Sequence, residues 1–219
     1  MVTLYVHGFD IEASHRFVGP GRLLSVALVM CQVDSTGRVP PRQLRQLQVN
    51  IAWPKGVVWD DATRAFWDKQ PASILEASRS DPLPPGEAAR AISQHLDECQ
   101  TLAHDDKARY VMVTDNPAFD VAWIDWLVHQ YNPGGTCVQH SRRLGYAGRH
   151  VMNVHERIEG LREAGVWRGR PRRFSRHPHD HTPMNDAWDL VEQYQAYLAF
   201  LWRTFPQAHP ALRCPKPAA

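Results

Sequence analysis

Residues 2–13, VTLYVHGFDIEA, set the reading of this chain. Val2, Leu4, Val6, Phe9 and Ile11 make a segment rich in β-branched, aliphatic and aromatic side chains, the pattern of a strand. Two acids interrupt it near its end. Asp10 and Glu12 stand two residues apart, so in a strand their carboxylates project from the same face. An unpaired charge inside an apolar strand is costly. A bound cation removes that cost, and so does a strand end in solvent; a D-x-E tripeptide alone favours the strand end.

Working outward, Gly19 to Gly21 marks a turn, and LLSVALVMCQV (23–33) is a nearly continuous apolar run suited to a strand buried on both faces. DSTGRVPP (34–41) reads as a loop and LRQLQVNIAW (44–53) as a third strand, which together predict an antiparallel meander. The pattern then turns helical. DDATRAFWDKQ (60–70) has an acidic start, a short piece runs from Pro71 to Ala77, and GEAARAISQHLDECQTLA (86–103) follows a proline-rich break. YVMVT (110–114) predicts a short buried strand, PAFDVAWIDWLVHQY (117–131) a helix, TCVQH (136–140) the last strand and HERIEGLREAG (155–165) a short helix. A final helix begins near Pro183. The expected fold class is α/β, a mixed five-stranded sheet flanked by helices, with residues 1–205 in one domain and 206–219 a proline-containing tail.

A chain of 219 residues with 43% hydrophobic residues can build its core without disulfides or a structural metal. The four cysteines, Cys31, Cys99, Cys137 and Cys214, are dispersed with no C-x-x-C pair, which suits a reducing compartment. The N-terminal segment is too polar for a signal peptide, and no run reaches the roughly 18 apolar residues of a membrane span, so a soluble, cytoplasmic protein is expected. The formal charge of +2 is nearly balanced. Its distribution is uneven: arginines gather at 142–143 and again as Arg168, Arg170, Arg172, Arg173 and Arg176.

Two further segments place acids near structural transitions. In TDNPAFDVAWID (114–125) a strand enters an Asn-Pro turn, and Asp120 falls in the first turns of the helix, on the side where ligands collect in α/β sheets. Asp115 reads as a turn or N-cap residue and Asp125 as lying on another helix face; taken alone, Asp120 reads better as a helix-surface charge than as a ligand. In HTPMNDAWDL (181–190), His181 precedes the helix and Asp186 lies in its first turn, where a carboxylate is favourable even without metal.

Taken together, F-D-I-E-A, then N-x-x-F-D, then H-x-x-x-x-D-A resemble the three motifs of the DEDDh exonucleases, over roughly residues 3 to 200. The resemblance implies a ribonuclease H-like fold and a 3′–5′ exonuclease. It also implies that Asp10, Glu12, Asp120 and Asp186 hold two Mg²⁺ or Mn²⁺ ions and that His181 is the general base. Hard divalent ions favour oxygen ligands, and two of them about 4 Å apart stabilise both the attacking and leaving oxygens of a phosphodiester. DDATRAFWDKQP further resembles a T-x-x-W-W-x-x-Q signature found in a branch of 3′–5′ exoribonucleases and phage exonucleases. Thr63, Trp67 and Gln70 match it, and Phe66 stands where the first tryptophan would be. That branch implies single-stranded RNA as the favoured substrate, with single-stranded DNA as the rival and a homodimer as a common arrangement. The rival from another class is a non-catalytic nucleic-acid-binding module, against which the five intact motif residues speak.

Phe66 and Trp67 are candidates to stack on bases, and core packing is the competing reading for each. Arg172 and Arg173, in RGRPRRFSRH (168–177), are candidates to grip phosphate, against a solvated surface loop. The run HPHDH (177–181) has the composition of a zinc-binding tract, although only His181 has the spacing to Asp186.

Overall fold

A computed structural model describes residues 3–52, 58–140, 151–168, 175–177 and 180–205. The tail at 206–219, Arg172, Arg173 and His179 lie outside them.

Five strands form one sheet: β1 (Leu4–Ala13), β2 (Leu23–Gln32), β3 (Arg42–Asn50), β4 (Arg109–Thr114) and β5 (Val151–Asn153), in the order β3-β2-β1-β4-β5. The meander is as expected, with β1–β2 and β2–β3 antiparallel. The β1–β4 and β4–β5 pairs are parallel, which makes the sheet mixed. Strand β1 is central, and every residue of it is buried. Helices α1 (Asp61–Trp67) and α2 (Ala72–Ala77) lead into α3 (Pro85–Asp105); α4 (Pro117–Tyr131), α5 (Val154–Glu163) and α6 (Pro183–Thr204) follow. Prolines begin α3, α4 and α6, where the missing N–H costs no helical hydrogen bond.

The alternation of β1 divides the core. Phe9, Ile11 and Ala13 pack with residues of α3 and α4, including the fully buried Trp123, on one face. Leu4 and Val6 pack with α5 and α6 on the other. The acids of β1 share the α6 face with Leu4 and Val6.

The fifth strand is not where TCVQH predicts it. The backbone N–H groups of Val138 and Gln139 donate to the Asp125 carboxylate at 2.7 and 3.3 Å, and Cys137 N donates to His140 O at 2.8 Å. Donors committed to a turn and a side chain cannot join a ladder. The β5 strand comes instead from Val151–Asn153, whose three residues are too few to show a period.

Helix α6 reaches the sheet because Gly8 has no side chain. A Cβ there would lie 2.3 Å from Ala187 O and 2.8 Å from Val191 Cγ2. Gly8→Ala must therefore push α6 off β1. Overpacking of this kind costs about 1–3 kcal/mol, and urea unfolding is expected to show at least that loss; an unchanged midpoint would mean that α6 is not seated by Gly8.

Candidate active site

The pairing register explains how acids come to stand in the middle of a sheet. Asp10 and Glu12 face Ala27 and Ser25 of β2, whose small side chains leave space above the strand. On the other side, β4 pairs with β1 only as far as Gly8↔Val113. Strand β1 therefore runs past the C-terminal end of β4 and carries its two carboxylates into the crevice where parallel strands end.

Helices α4 and α6 deliver the remaining acids to that crevice. Asp120 occupies the first turn of α4 and is 2% exposed; it accepts a hydrogen bond from the Thr114 hydroxyl at the end of β4. Asp186 occupies the first turn of α6 and is also 2% exposed. Its Oδ1 accepts from Asp180 N at 3.2 Å. The crevice thus collects carboxylates from three distant stretches of chain.

Burial and mutual repulsion set the electrostatics of these groups. Burial, and then the charges of Glu12, Asp120, Asp186 and Asp115, hold the Asp10 carboxyl well above the usual carboxylate range. Glu12 is raised by burial and by Asp186, Asp120 and Asp115. Burial pushes Asp120 up to about 8 and Asp186 up to about 7. Asp10 Oδ2 is buried with no hydrogen-bond donor. An oxygen-only cluster that repels itself, with an orphaned buried oxygen at its centre, fits hard divalent cations, which remove both penalties together.

The sequence reading undervalued Asp115. It lies in the bend after β4 and is not the helix cap, which is Asn116; its charge acts on all four motif acids. The signal was its place at the carboxyl end of a parallel strand. Asp125 is buried and holds the 138–139 backbone, and Asp189 accepts from Gln193 Nε2 at 2.7 Å.

His181 sits immediately before α6 in the left-handed region, with φ +62°. Asp180 stabilises this turn: its carboxylate accepts from Thr182 N at 3.1 Å and from Asn185 Nδ2 at 3.1 and 3.2 Å. The D-x-T-x-x-N spacing before a helix was the available sequence signal for that role. The His181 ring stands edge-on to Phe66, centroids 4.8 Å apart at 86°. His177 faces elsewhere, stacked on Trp188 at 5.1 Å with Nδ1 3.4 Å from a Glu192 oxygen. These different partners disfavour a zinc tract made from His177 and His181 together.

Beside Glu12 opens a cleft of about 750 Å³ walled by Phe17, Phe66 and Phe119, with Arg16, Thr63 and Asn116 as polar lining. Trp67 is 5% exposed and forms its floor, with Nε1 donating to Ala13 O at 3.4 Å. Phe17, which sequence reasoning missed because it sits in a turn with no periodicity, is 63% exposed at the rim. Asp60 caps α1 and bridges to Arg16 at 3.2 Å, tying the rim to the helix that carries Phe66. Of the arginine-rich loop, Arg168 and Arg176 are described; Arg168 is exposed, and Arg176 lines a separate depression with Arg38 and Arg203.

No protein-family profile matches the chain, and neither does any curated protein. Solved structures match its fold. E. coli exonuclease I in complex with a dA16 oligonucleotide gives a TM-score of 0.59 at 14% identity, over 94% of this chain and 42% of that chain. The zinc-bound form of E. coli exonuclease I with single-stranded DNA gives 0.60 at 12% identity, over 93% and 41%. A 3′-exonuclease from a structure of 3′-end-specific recognition of a histone mRNA stem-loop gives 0.53 at 9% identity, over 93% and 83%. The present chain spans less than half the length of the exonuclease I chains. What it shares with these proteins is architecture: the mixed five-stranded sheet with flanking helices of a ribonuclease H-like fold.

Proposed function

We propose that this protein is a metal-dependent 3′–5′ exonuclease of the DEDDh superfamily acting on single-stranded nucleic acid, with RNA the favoured substrate. The observation that carries the reading is the cluster of Asp10, Glu12, Asp120 and Asp186, buried together beside an aromatic cleft, with Asp10 Oδ2 lacking a donor. These four residues would hold two Mg²⁺ or Mn²⁺ ions, which stabilise the attacking and leaving oxygens of the phosphodiester.

The chain's own residues supply the rest. His181, an imidazole that works near neutral pH, takes the proton of the attacking water. Asp180 holds the turn that presents it, and Thr114 fixes the orientation of Asp120. Phe66, Phe17 and Phe119 offer ring faces to the terminal bases, and aromatic stacking is worth about 1–3 kcal/mol per base. Arg172 and Arg173 are proposed phosphate contacts on sequence grounds. Exonuclease I bound to a dA16 oligonucleotide supports single-stranded DNA as the second reading, while the stem-loop-recognising 3′-exonuclease and the Thr63, Trp67 and Gln70 signature support RNA.

The test is digestion of matched 5′-labelled RNA and DNA strands with Mg²⁺, Mn²⁺ or EDTA, with free or blocked 3′ ends. A metal-dependent ladder that vanishes on blocking the 3′ end is expected, faster on RNA. Binding without cleavage under either metal would make the chain a non-catalytic module. Phe66→Ala is expected to raise KM by about 10-fold, the loss of one stacked base. Unchanged kinetics would place the strand elsewhere.

A further inference from the structure

On the other face of β1 from the acids lies a second cluster. His7 projects toward α3 and is fully buried. His95 and Cys99, one helical turn apart on α3, are 7% and 0% exposed and meet it. His95 Nε2 lies 3.3 Å from His7 Nε2 and 3.5 Å from Cys99 Sγ, and the three ligand atoms all fall within 4.8 Å of one another. The His7 Nδ1 atom is engaged by the Tyr110 hydroxyl, which aims Nε2 at the other two groups, as an outer hydrogen bond orients a metal-ligating histidine.

Hydrogen bonding alone accounts poorly for this geometry. One Nε2 either donates its single hydrogen or accepts through its single lone pair, so it bonds one neighbour and not both, and 3.3 Å is long for a nitrogen donor, whose bonds cluster at about 2.7–3.2 Å. Two of the three separations are close to the edges of a tetrahedron around one ion, and the third, between His7 Nε2 and Cys99 Sγ, lies within 4.8 Å. Bonds of about 2.0–2.1 Å to nitrogen and about 2.3 Å to sulfur give edges of about 3.3 Å and about 3.5 Å.

We propose that His7, His95 and Cys99 form a buried binding site for one thiophilic d¹⁰ cation, Cu⁺ or Zn²⁺, which pins β1 to α3. Charge balance favours Cu⁺. Binding releases the Cys99 thiol proton to solvent, and a thiolate with two neutral imidazoles is neutralised by one positive charge. Zn²⁺ would leave a net charge in an enclosed apolar setting, which is costly. The two residues that pair with His7 across the sheet are Met30 and Met112, 0% and 1% exposed, and thioethers suit Cu⁺.

The experiment is to express the full chain in medium supplemented with copper or with zinc. Each preparation is then purified anaerobically with a reductant, dialysed against EDTA, and analysed for retained metal. About one equivalent of copper per chain is expected, falling below about a tenth in Cys99→Ser. The wild-type copper-edge absorption spectrum, which needs no variant, should show two nitrogen ligands together with sulfur. Zinc retained in place of copper, and lost in Cys99→Ser, supports the same site with the divalent ion. Retention of neither metal, equal retention in Cys99→Ser, or a spectrum without sulfur overturns the proposal.

Discussion

Asp10→Asn is expected to lower the hydrolysis rate by about 10³-fold or more, equivalent to roughly 4 kcal/mol of transition-state stabilisation, while leaving the metal-free protein at least as stable as the wild type. The two effects share one cause. Asp10 stands at the centre of the cluster, raised by burial and by four neighbouring carboxylates, and one of its oxygens has no donor. That charge is useful only toward a cation. Without one it repels Glu12, Asp120, Asp186 and Asp115, and the neutral, nearly isosteric amide removes the repulsion. Single-turnover digestion and thermal unfolding in EDTA read the two predictions separately. Loss of activity together with loss of the fold would make Asp10 a structural residue. Retained activity would remove it from the proposed metal site.

Between about pH 4 and pH 8 the metal-free protein should lose stability as the pH rises, and divalent ions should reverse that loss. Carboxyl groups of an unfolded chain titrate at about pH 4. In the folded chain burial raises Asp186 to about 7 and Asp120 to about 8, and Asp10 and Glu12 are raised as well. At these four acids the fold therefore binds more protons than the unfolded chain across this window, and the buried His7 and His95, lowered in the fold, offset part of this below about pH 6.5. Its stability is fully present below the unfolded value and declines through the folded ones, by up to about 1.4 kcal/mol per pH unit for each carboxyl still protonated. Mg²⁺ or Mn²⁺ competes with those protons, so the rise in Tm on adding metal should be larger at pH 8 than at pH 5. A Tm in EDTA that is flat or increasing over this range, with no response to metal, would show that the four acids do not form one electrostatic unit.

How much of this was legible in the sequence depended on how locally each feature is encoded. The meander and the helix starts at Pro117 and Pro183 could be read, because period and proline act over a few residues. Asp10 and Glu12 could be placed on one face of β1 from their spacing alone. For Trp67 the open choice between stacking and packing was decided only by the fold, which turns it under the cleft and leaves Phe66 beside His181. The TCVQH segment has the composition of a strand and is none, because a carboxylate from α4 takes its donors. Phe17 carries no periodic signal and becomes part of the cleft only when α1 closes over the end of β1.

By itself the sequence determined which residues could carry charge into a strand and where helices begin, since alternation, capping and proline geometry are local. The tertiary structure alone decided which of those charges meet. Gly8 lets α6 approach within contact of β1 and so brings Asp186 beside Asp10, and the early end of β4 opens the crevice that Asp120 enters. On the opposite face, His7 meets His95 across 88 residues of chain. Contacts of that range depend on how layers pack, and no local pattern encodes them.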